Sequence, residues 1–406
     1  MKKLIALMLC LVLAVAAFGC NNTPATEGDP TDAPDQTQTE APEATDAPEA
    51  TDAPEATEPV EGDGEQKVYN VVSLVNGNLG DKSFFDSAES GLKALQDAGR
   101  ITYKTIEMGG TDEDQPKWLE TLYEVAESGE YDLIICGTYQ MPDYLKEVAT
   151  AYPDQKFLIY DDTTHVGENA NVVNFSYKQN DMGYLIGVFA AAMTSQTSVA
   201  NINEEKVVGF VGGVDSPVIN DFLYGFLQGV QDTDPEVKVD TRYVNSYVDT
   251  ATAKELALSM INDNACDIIW GVAGLSGNGA AEACAETGKS WFIGVDSDQE
   301  LTLPDNQKAI TLTSGLKNIG QSLIWFFDKW DAGEADALFG TQVNLGINEG
   351  GVGIVTDKNF TNVAPQEVQD AVLAAQEKVA SGEITVPTAI GDETNGVVAL
   401  RDSMQP

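Results

Sequence analysis

The chain has 406 residues, with 65 Asp and Glu against 22 Lys and Arg, and a formal charge of −43 at pH 7. A surface this acidic excludes nucleic acid and anionic lipid headgroups as partners, because binding phosphate draws on clustered Lys and Arg. The length beyond the first 66 residues suits one large or two medium domains with real cores.

Lys2 and Lys3 precede an apolar run from Leu4 to Phe18 that ends in Ala17-Phe18-Gly19-Cys20. This is the layout of a secretory signal peptide, and the run is short for a membrane-spanning helix. A cysteine after small residues at the cleavage point resembles a bacterial lipobox, although Ala17 stands where leucine is usual. Residues 1–19 then form the signal, and Cys20 is the lipidated first residue of an exported protein held on the outer face of the cell membrane by buried methylenes. Ordinary cleavage leaving a free Cys20 is the alternative. From Asn21 to Gln66 the composition is Thr, Asp, Ala, Pro and Glu, with TDAPEA at Thr45–Ala50 and again at Thr51–Ala56. Such a segment buries too little apolar surface to offset its ordering entropy, so residues 20–66 are expected to be a disordered acidic tether.

Val71–Val75 reads as a buried strand, followed by a turn from Asn76 to Asp81 and an amphipathic helix with Phe85, Ala88, Leu92 and Leu95 at helical spacing. Asp81 or Ser83 is positioned to cap that helix, and Phe84 sits where it begins. Phe84 is either a staple packing on the loop or a flat platform for a ring-shaped ligand. Strands and helices then alternate: strand Ile101–Met108, helix Pro116–Ser128, strand Tyr131–Cys136, helix Pro142–Tyr152, strand Lys156–Tyr160, a short edge strand Asn171–Ser176 and an apolar helix Gly183–Met193. The pattern restarts with strands Val207–Val211, Val237–Tyr243, Asp267–Val272 and Trp291–Val295, separated by helices Ile219–Gln231, Thr252–Asn262 and Asn278–Glu286. This alternation predicts an α/β protein with two doubly wound parallel sheets, each covered on both faces.

After the second run come a strand at Ala309–Thr313, a helix at Lys317–Trp330, a strand-rich stretch at Thr341–Val355 and a last helix at Pro365–Ser381. These must join lobes already built, so the chain is expected to cross between lobes more than once and to form a hinge with a ligand cleft. The expected division is 67–178 plus about 297–336 for the N-terminal lobe, 179–296 plus about 337–363 for the C-terminal lobe, and 364–406 for a C-terminal helix and tail. Cys136, Cys266 and Cys284 show no Cys-x-x-Cys spacing; they read as buried thiols, and neither zinc nor another cofactor is expected.

Several loops together resemble the basic membrane protein family, whose members are purine-nucleoside-binding lipoproteins that feed ABC transporters. The matching runs are GDKSF (Gly80–Phe84), AYPDQKF (Ala151–Phe157), GFVGGVDSPVI (Gly209–Ile219), KELAL (Lys254–Leu258), GVDSDQ (Gly294–Gln299) and NEGGVG (Asn348–Gly353), in the family's order and spacing. The resemblance implies a type I periplasmic-binding-protein-like fold, a purine nucleoside as small-molecule ligand, an ABC permease as partner and a monomeric protein. It also implies a site in which Phe84 and Tyr247 sandwich the purine, Tyr247 standing where the family usually has Phe. Asp296 and Lys317 grip the ribose, and Asp161 faces the base edge. Asp162 could take that last place by a shift of one residue. Gly274 would let backbone approach the ligand. Without the resemblance Tyr247 is a surface aromatic, Asp296 a turn cap (a part better suited to Asp298) and Lys317 a solvated helix start. The Asn76–Asp81 turn is about one residue shorter than the family's, and Asn76 replaces a common aspartate. An amide donates as well as accepts, so base preference is open.

An enzyme is the first rival. The one histidine, His165, lies in a polar loop without partners for a nucleophile. The glycines of Gly271–Gly279 spell neither a dinucleotide nor a P-loop pattern. A sugar or autoinducer-type binder of the same fold, or a lipoprotein that senses its ligand, is the second.

Overall fold

The computed structural model describes residues 67–164, 169–391 and 394–406. The signal, Cys20, the tether and His165 lie outside the described residues. The first lobe is built on β1 (Tyr69–Val75), α1 (Phe84–Asp97), β2 (Ile101–Glu107), α2 (Gln115–Ser128), β3 (Leu133–Gly137), α3 (Pro142–Ala151), β4 (Phe157–Tyr160) and β5 (Val172–Tyr177). The second begins with α4 (Gln179–Thr194), β6 (Val207–Gly212), α5 (Pro217–Thr233), β7 (Lys238–Tyr243), α6 (Thr250–Asp263), β8 (Ile268–Val272), α7 (Gly277–Thr287) and β9 (Trp291–Gly294). It continues through the short helices α8 (Gln299–Thr302) and α9 (Asp305–Lys308) to β10 (Thr311–Lys317). There follow α10 (Ile319–Asp331), β11 (Gln342–Leu345), β12 (Val352–Ile354), α11 (Asn359–Val363), α12 (Gln366–Ala380) and α13 (Thr394–Met404).

Two six-stranded sheets result, ordered β11-β5-β4-β3-β1-β2 and β12-β10-β9-β8-β6-β7. Apart from the antiparallel β10–β12 pair, every strand pairing is parallel. Parallel strands buried on both faces read as continuous apolar runs, which is why Leu133–Gly137 and Val207–Gly212 are buried throughout. The sheets have equivalent orders, so β4 corresponds to β9, β3 to β8 and β5 to β10.

The late elements correct the expected division. The strand expected at Ala309–Thr313 runs instead to Lys317 and pairs with β9, so 297–317 belong to the second lobe rather than the first. α10 returns to the first lobe: Gly320 lies against Gly91 of α1, and Trp325 and Phe326 meet Phe175 of β5. β11 then pairs with β5, which places 342–345 in the first sheet and makes β5 an interior strand rather than an edge. The physical reason is that a helical crossover can deliver the next strand to either sheet, and only side-chain fit selects one. The chain crosses between lobes three times, at Tyr177–Gln179, Lys317–Ile319 and Leu345–Val352. The expected C-terminal tail also holds a helix, α13, which packs on α5.

α4 and α5 are the centre of the second lobe. In α4 nearly every residue is buried, so its apolar pattern is continuous rather than one-sided. Gly183 and Gly187 lie under the carbonyls of Phe222 and Phe226, while Gly225 and Gly229 lie under those of Asn180 and Tyr184. Four glycines at four-residue spacing thus let two helix backbones touch. Cys136, Cys266 and Cys284 are buried and free. Burial pushes the Cys284 thiol up to about 12.

Candidate ligand-binding site

In parallel sheets, ligands collect beyond the carboxyl ends of the strands. Both sheets aim those ends at one cavity, of about 770 Å³ of empty space including its mouth. Asn76 follows β1, Thr138 follows β3 and Asp161 follows β4. From the other lobe, Tyr247 follows β7, Gly274 follows β8, Asp296 follows β9 and Lys317 ends β10. All eight positions singled out in the sequence (Asn76, Asp81, Phe84, Asp161, Tyr247, Gly274, Asp296 and Lys317) line this cavity. Sequence reading missed Phe222, Tyr139 and Gln140, which line it as well. Phe222 was legible only as an apolar position of a core helix.

Lys317 is the corrected residue. It is no solvated helix start but the buried last residue of β10, 1% exposed, and it belongs to the second lobe rather than to that of Phe84. Its Nζ donates to Asp161 Oδ1 at 2.5 Å across the lobes. Its ammonium also stands 4.6 Å from the Phe222 ring centre, 5.6 Å from Tyr177 and 5.8 Å from Phe84. Electron-rich ring faces favour a cation held there. Asp161, not Asp162, lines the cavity; the Asp162 carboxylate accepts from Asn174 and Thr164.

Asp296 occupies in the second sheet the place that Asp161 has in the first. Both take left-handed backbone, with φ of 64° and 61°. Such strain in a non-glycine residue persists only where its surroundings hold it, and it gathers at functional sites. Asp296 is 7% exposed, and its Oδ1 has no hydrogen-bond partner among the described residues. Burial pushes its carboxyl up to about 7; Lys317 opposes this, while Asp161 and Asp81 add to it. Asp298 was the expected turn cap; its carboxylate is instead bound by Lys358 at 2.7 Å.

Asp81 caps α1: its carboxylate accepts the backbone N–H groups of Ser83, Phe85 and Asp86 at 2.8–3.1 Å, while Ser83 makes no cap bond. Burial still pushes it up to about 6, against those three bonds. Asn76 donates through Nδ2 to Thr138 Oγ1 and Gln140 Oε1, and its buried Oδ1 has no partner among the described residues. Tyr247 lies against the Gly213 backbone, where a Cβ would fall 2.3 Å from its ring, and its hydroxyl is 3.2 Å from that of Tyr139 in the first lobe. Burial, with Tyr139 beside it, holds the Tyr247 hydroxyl well above the usual tyrosine range. Phe84 packs at the mouth of α1 beside Phe85 and Tyr160.

The family model described as ABC transporter substrate-binding protein, PnrA-like (Bmp), matches residues 68–389. The chain belongs to the Bmp family. It is therefore an ABC transporter substrate-binding protein, one that takes a small molecule and delivers it to a permease. Among its relatives is the CD4+ T-cell-stimulating antigen of Listeria innocua, 30% identical over 337 residues, covering 80% of this chain and 90% of that one. The ABC transporter nucleoside-binding protein BmpA of Lactococcus lactis is 29% identical over 333 residues, covering 78% and 88%. A solved solute-binding protein of an ABC transporter from Aeropyrum pernix superposes with a TM-score of 0.67 at 25% identity, covering 83% of this chain and all of that one. Among the described residues no helix of this Bmp protein is long and apolar enough to cross a membrane.

Proposed function

We propose that the ligand is a purine nucleoside, held in the cavity between the lobes. One observation carries this: two aromatic residues, Phe84 and Tyr247, line the same cavity as the Asp161–Lys317 pair and the unpartnered Asp296. The rings stack on the two faces of the base, each contact contributing about 1–3 kcal/mol and tolerating different bases. Asp296 accepts from the vicinal ribose hydroxyls and Lys317 donates to the sugar, with Asp161 and Asn76 at the base edge and Gly274 letting the backbone come close. Asp81, whose bonds go to α1, shapes the wall. Three carboxylates beside one lysine repel phosphate, so a nucleoside fits where a nucleotide does not. The name of the Lactococcus lactis relative supports the same reading. In this reading Cys20 carries the lipid anchor, the acidic segment to Gln66 spaces a monomeric binding unit from the membrane, and no catalysis takes place.

Calorimetric titration of the full chain, unfolded and refolded beforehand to strip carried-over ligand, tests this with inosine, guanosine, adenosine, cytidine and ribose. Purine nucleosides are expected to bind tightly and ribose not at all. Binding of sugars alone would leave the fold standing and remove the nucleoside.

The carboxyl of Asp296 adds a pH signature. Ligand hydroxyls stabilise its ionised form, so the complex carries fewer protons than the free protein below about pH 7. Affinity is expected to be constant above pH 7 and to fall as pH drops from 7 towards 5, with protons released on binding in that window. Titrations in two buffers of unlike ionisation enthalpy read that release. Asp296→Asn should bind weakly and without the pH dependence; an unchanged profile in that variant would remove Asp296 from the ligand.

A further inference from the structure

The lobes also meet outside the cavity, at the backbone of the loop before α1. The carbonyl of Lys82 accepts from Ser297 Oγ at 2.8 Å and from Thr302 Oγ1 at 3.3 Å, and that of Asp81 accepts from Asn278 Nδ2 at 3.3 Å. The acceptors belong to the first lobe and all three donors to the second. None of the donors lines the cavity.

The loop is preset to present those carbonyls. The Asp86 carboxylate accepts the N–H groups of Gly80 at 2.7 Å and Lys82 at 2.9 Å, and the Asp81 carboxylate takes the next ones. Left-handed turns at Gly80 (φ 89°) and Lys82 (φ 60°) complete its shape, and a lysine held there is strained. The loop that carries Phe84 is thereby a rigid piece with two outward acceptors. On the other side, Ser297 is the immediate neighbour of Asp296, so a bond to Lys82 fixes the cavity carboxylate relative to Phe84.

We propose that Ser297, Thr302 and Asn278 are positioning residues that latch the lobes closed over whatever the cavity holds. This rests on the ligand lying between the lobes and not on its being a nucleoside. Backbone carbonyls, hydroxyls and an amide do not titrate in the physiological range, so the latch is pH-independent, unlike the grip of Asp296. When the lobes part, water replaces these bonds, so each shifts the open–closed balance only a few-fold. Together the two hydroxyls bias it by about tenfold. That retains a ligand without trapping it.

The test uses the full chain with Ser297→Ala and Thr302→Val combined, read by small-angle scattering without ligand and by stopped-flow release of inosine. The double variant is expected to be more extended than wild type and to release inosine roughly tenfold faster at an unchanged association rate. Its melting temperature without ligand should show that it is folded, and Ser297→Thr, which keeps the hydroxyl, should behave as wild type. Scattering and release both matching wild type would overturn the latch. If wild type takes up no inosine, the nucleoside reading fails and the scattering comparison alone decides the latch.

Discussion

Replacing Lys317 with methionine is expected to abolish ligand binding and to lower stability by about 3–5 kcal/mol, the usual cost of removing one partner of a buried ion pair. Lys317 is 1% exposed and its partner Asp161 only 7%, so bulk water compensates little for the loss of either. The lost Coulomb attraction matters less than the carboxylate left behind, which keeps its desolvation cost and loses its compensation. Methionine fills the volume and suits the rings of Phe222, Tyr177 and Phe84, so packing does not confuse the result. Urea denaturation of the single variants and of Lys317→Met with Asp161→Asn separates the contributions. The double variant should recover most of the stability, since no buried charge remains, and should still fail to bind. Asparagine is chosen because it tolerates the left-handed backbone at 161. A cost below about 1 kcal/mol for the single variant would mean that the pair is solvated in solution.

Gly225→Ala should be among the most damaging single-methyl changes in the second lobe. Its Cβ would fall 2.0 Å from the carbonyl oxygen of Asn180 and 2.8–2.9 Å from neighbouring backbone atoms of α4. Backbone cannot rotate aside as a side chain can, so α4 and α5 must separate along their length. Overpacking costs about 1–3 kcal/mol when neighbours can shift, and this interface offers none that can, so about 3 kcal/mol or more is expected. Gly353→Ala on β12, where an added Cβ meets nothing within 4 Å, is the control and should stay within about 0.5 kcal/mol of wild type. Chemical denaturation compares the two. Equal midpoints would show that the α4–α5 contact relaxes.

The fold was legible where local pattern decides it. The βαβ alternation, the capping carboxylate at Asp81 and the two lobes follow from apolar periodicity and turn chemistry, which act over a few residues. The candidate cavity was legible through loops: the residues after β1, β4, β7, β8 and β9 line one cavity at the carboxyl ends of the parallel strands. What escaped was non-local. Lys317 was read as a helix start because LKN before an apolar helix looks the same whether the lysine is solvated or ends a strand. Its buried partner lies 156 residues away. The assignment of β10 and β11 to sheets failed for the same reason, since neither strand carries a mark of its neighbour. Phe222 was invisible because a cavity-facing aromatic on a core helix has the same periodicity as a packed one.

The threefold crossing also imposes an order on folding. The second lobe's sheet is continuous in sequence from β6 to β10 and lacks only β12. The first lobe's sheet takes its edge strand from 342–345 and the helix covering Phe175 from 319–331, both after that long insertion. As the chain emerges, the part of the first sheet's apolar face that α10 covers stays open until about residue 331 and the β5 edge until 345, while most of the second lobe is already present. Contacts at such separation form slowly because loop closure precedes any gain from packing. The lobe that begins first thus waits for residues that follow most of the second, and its uncovered face is what a chaperone would meet.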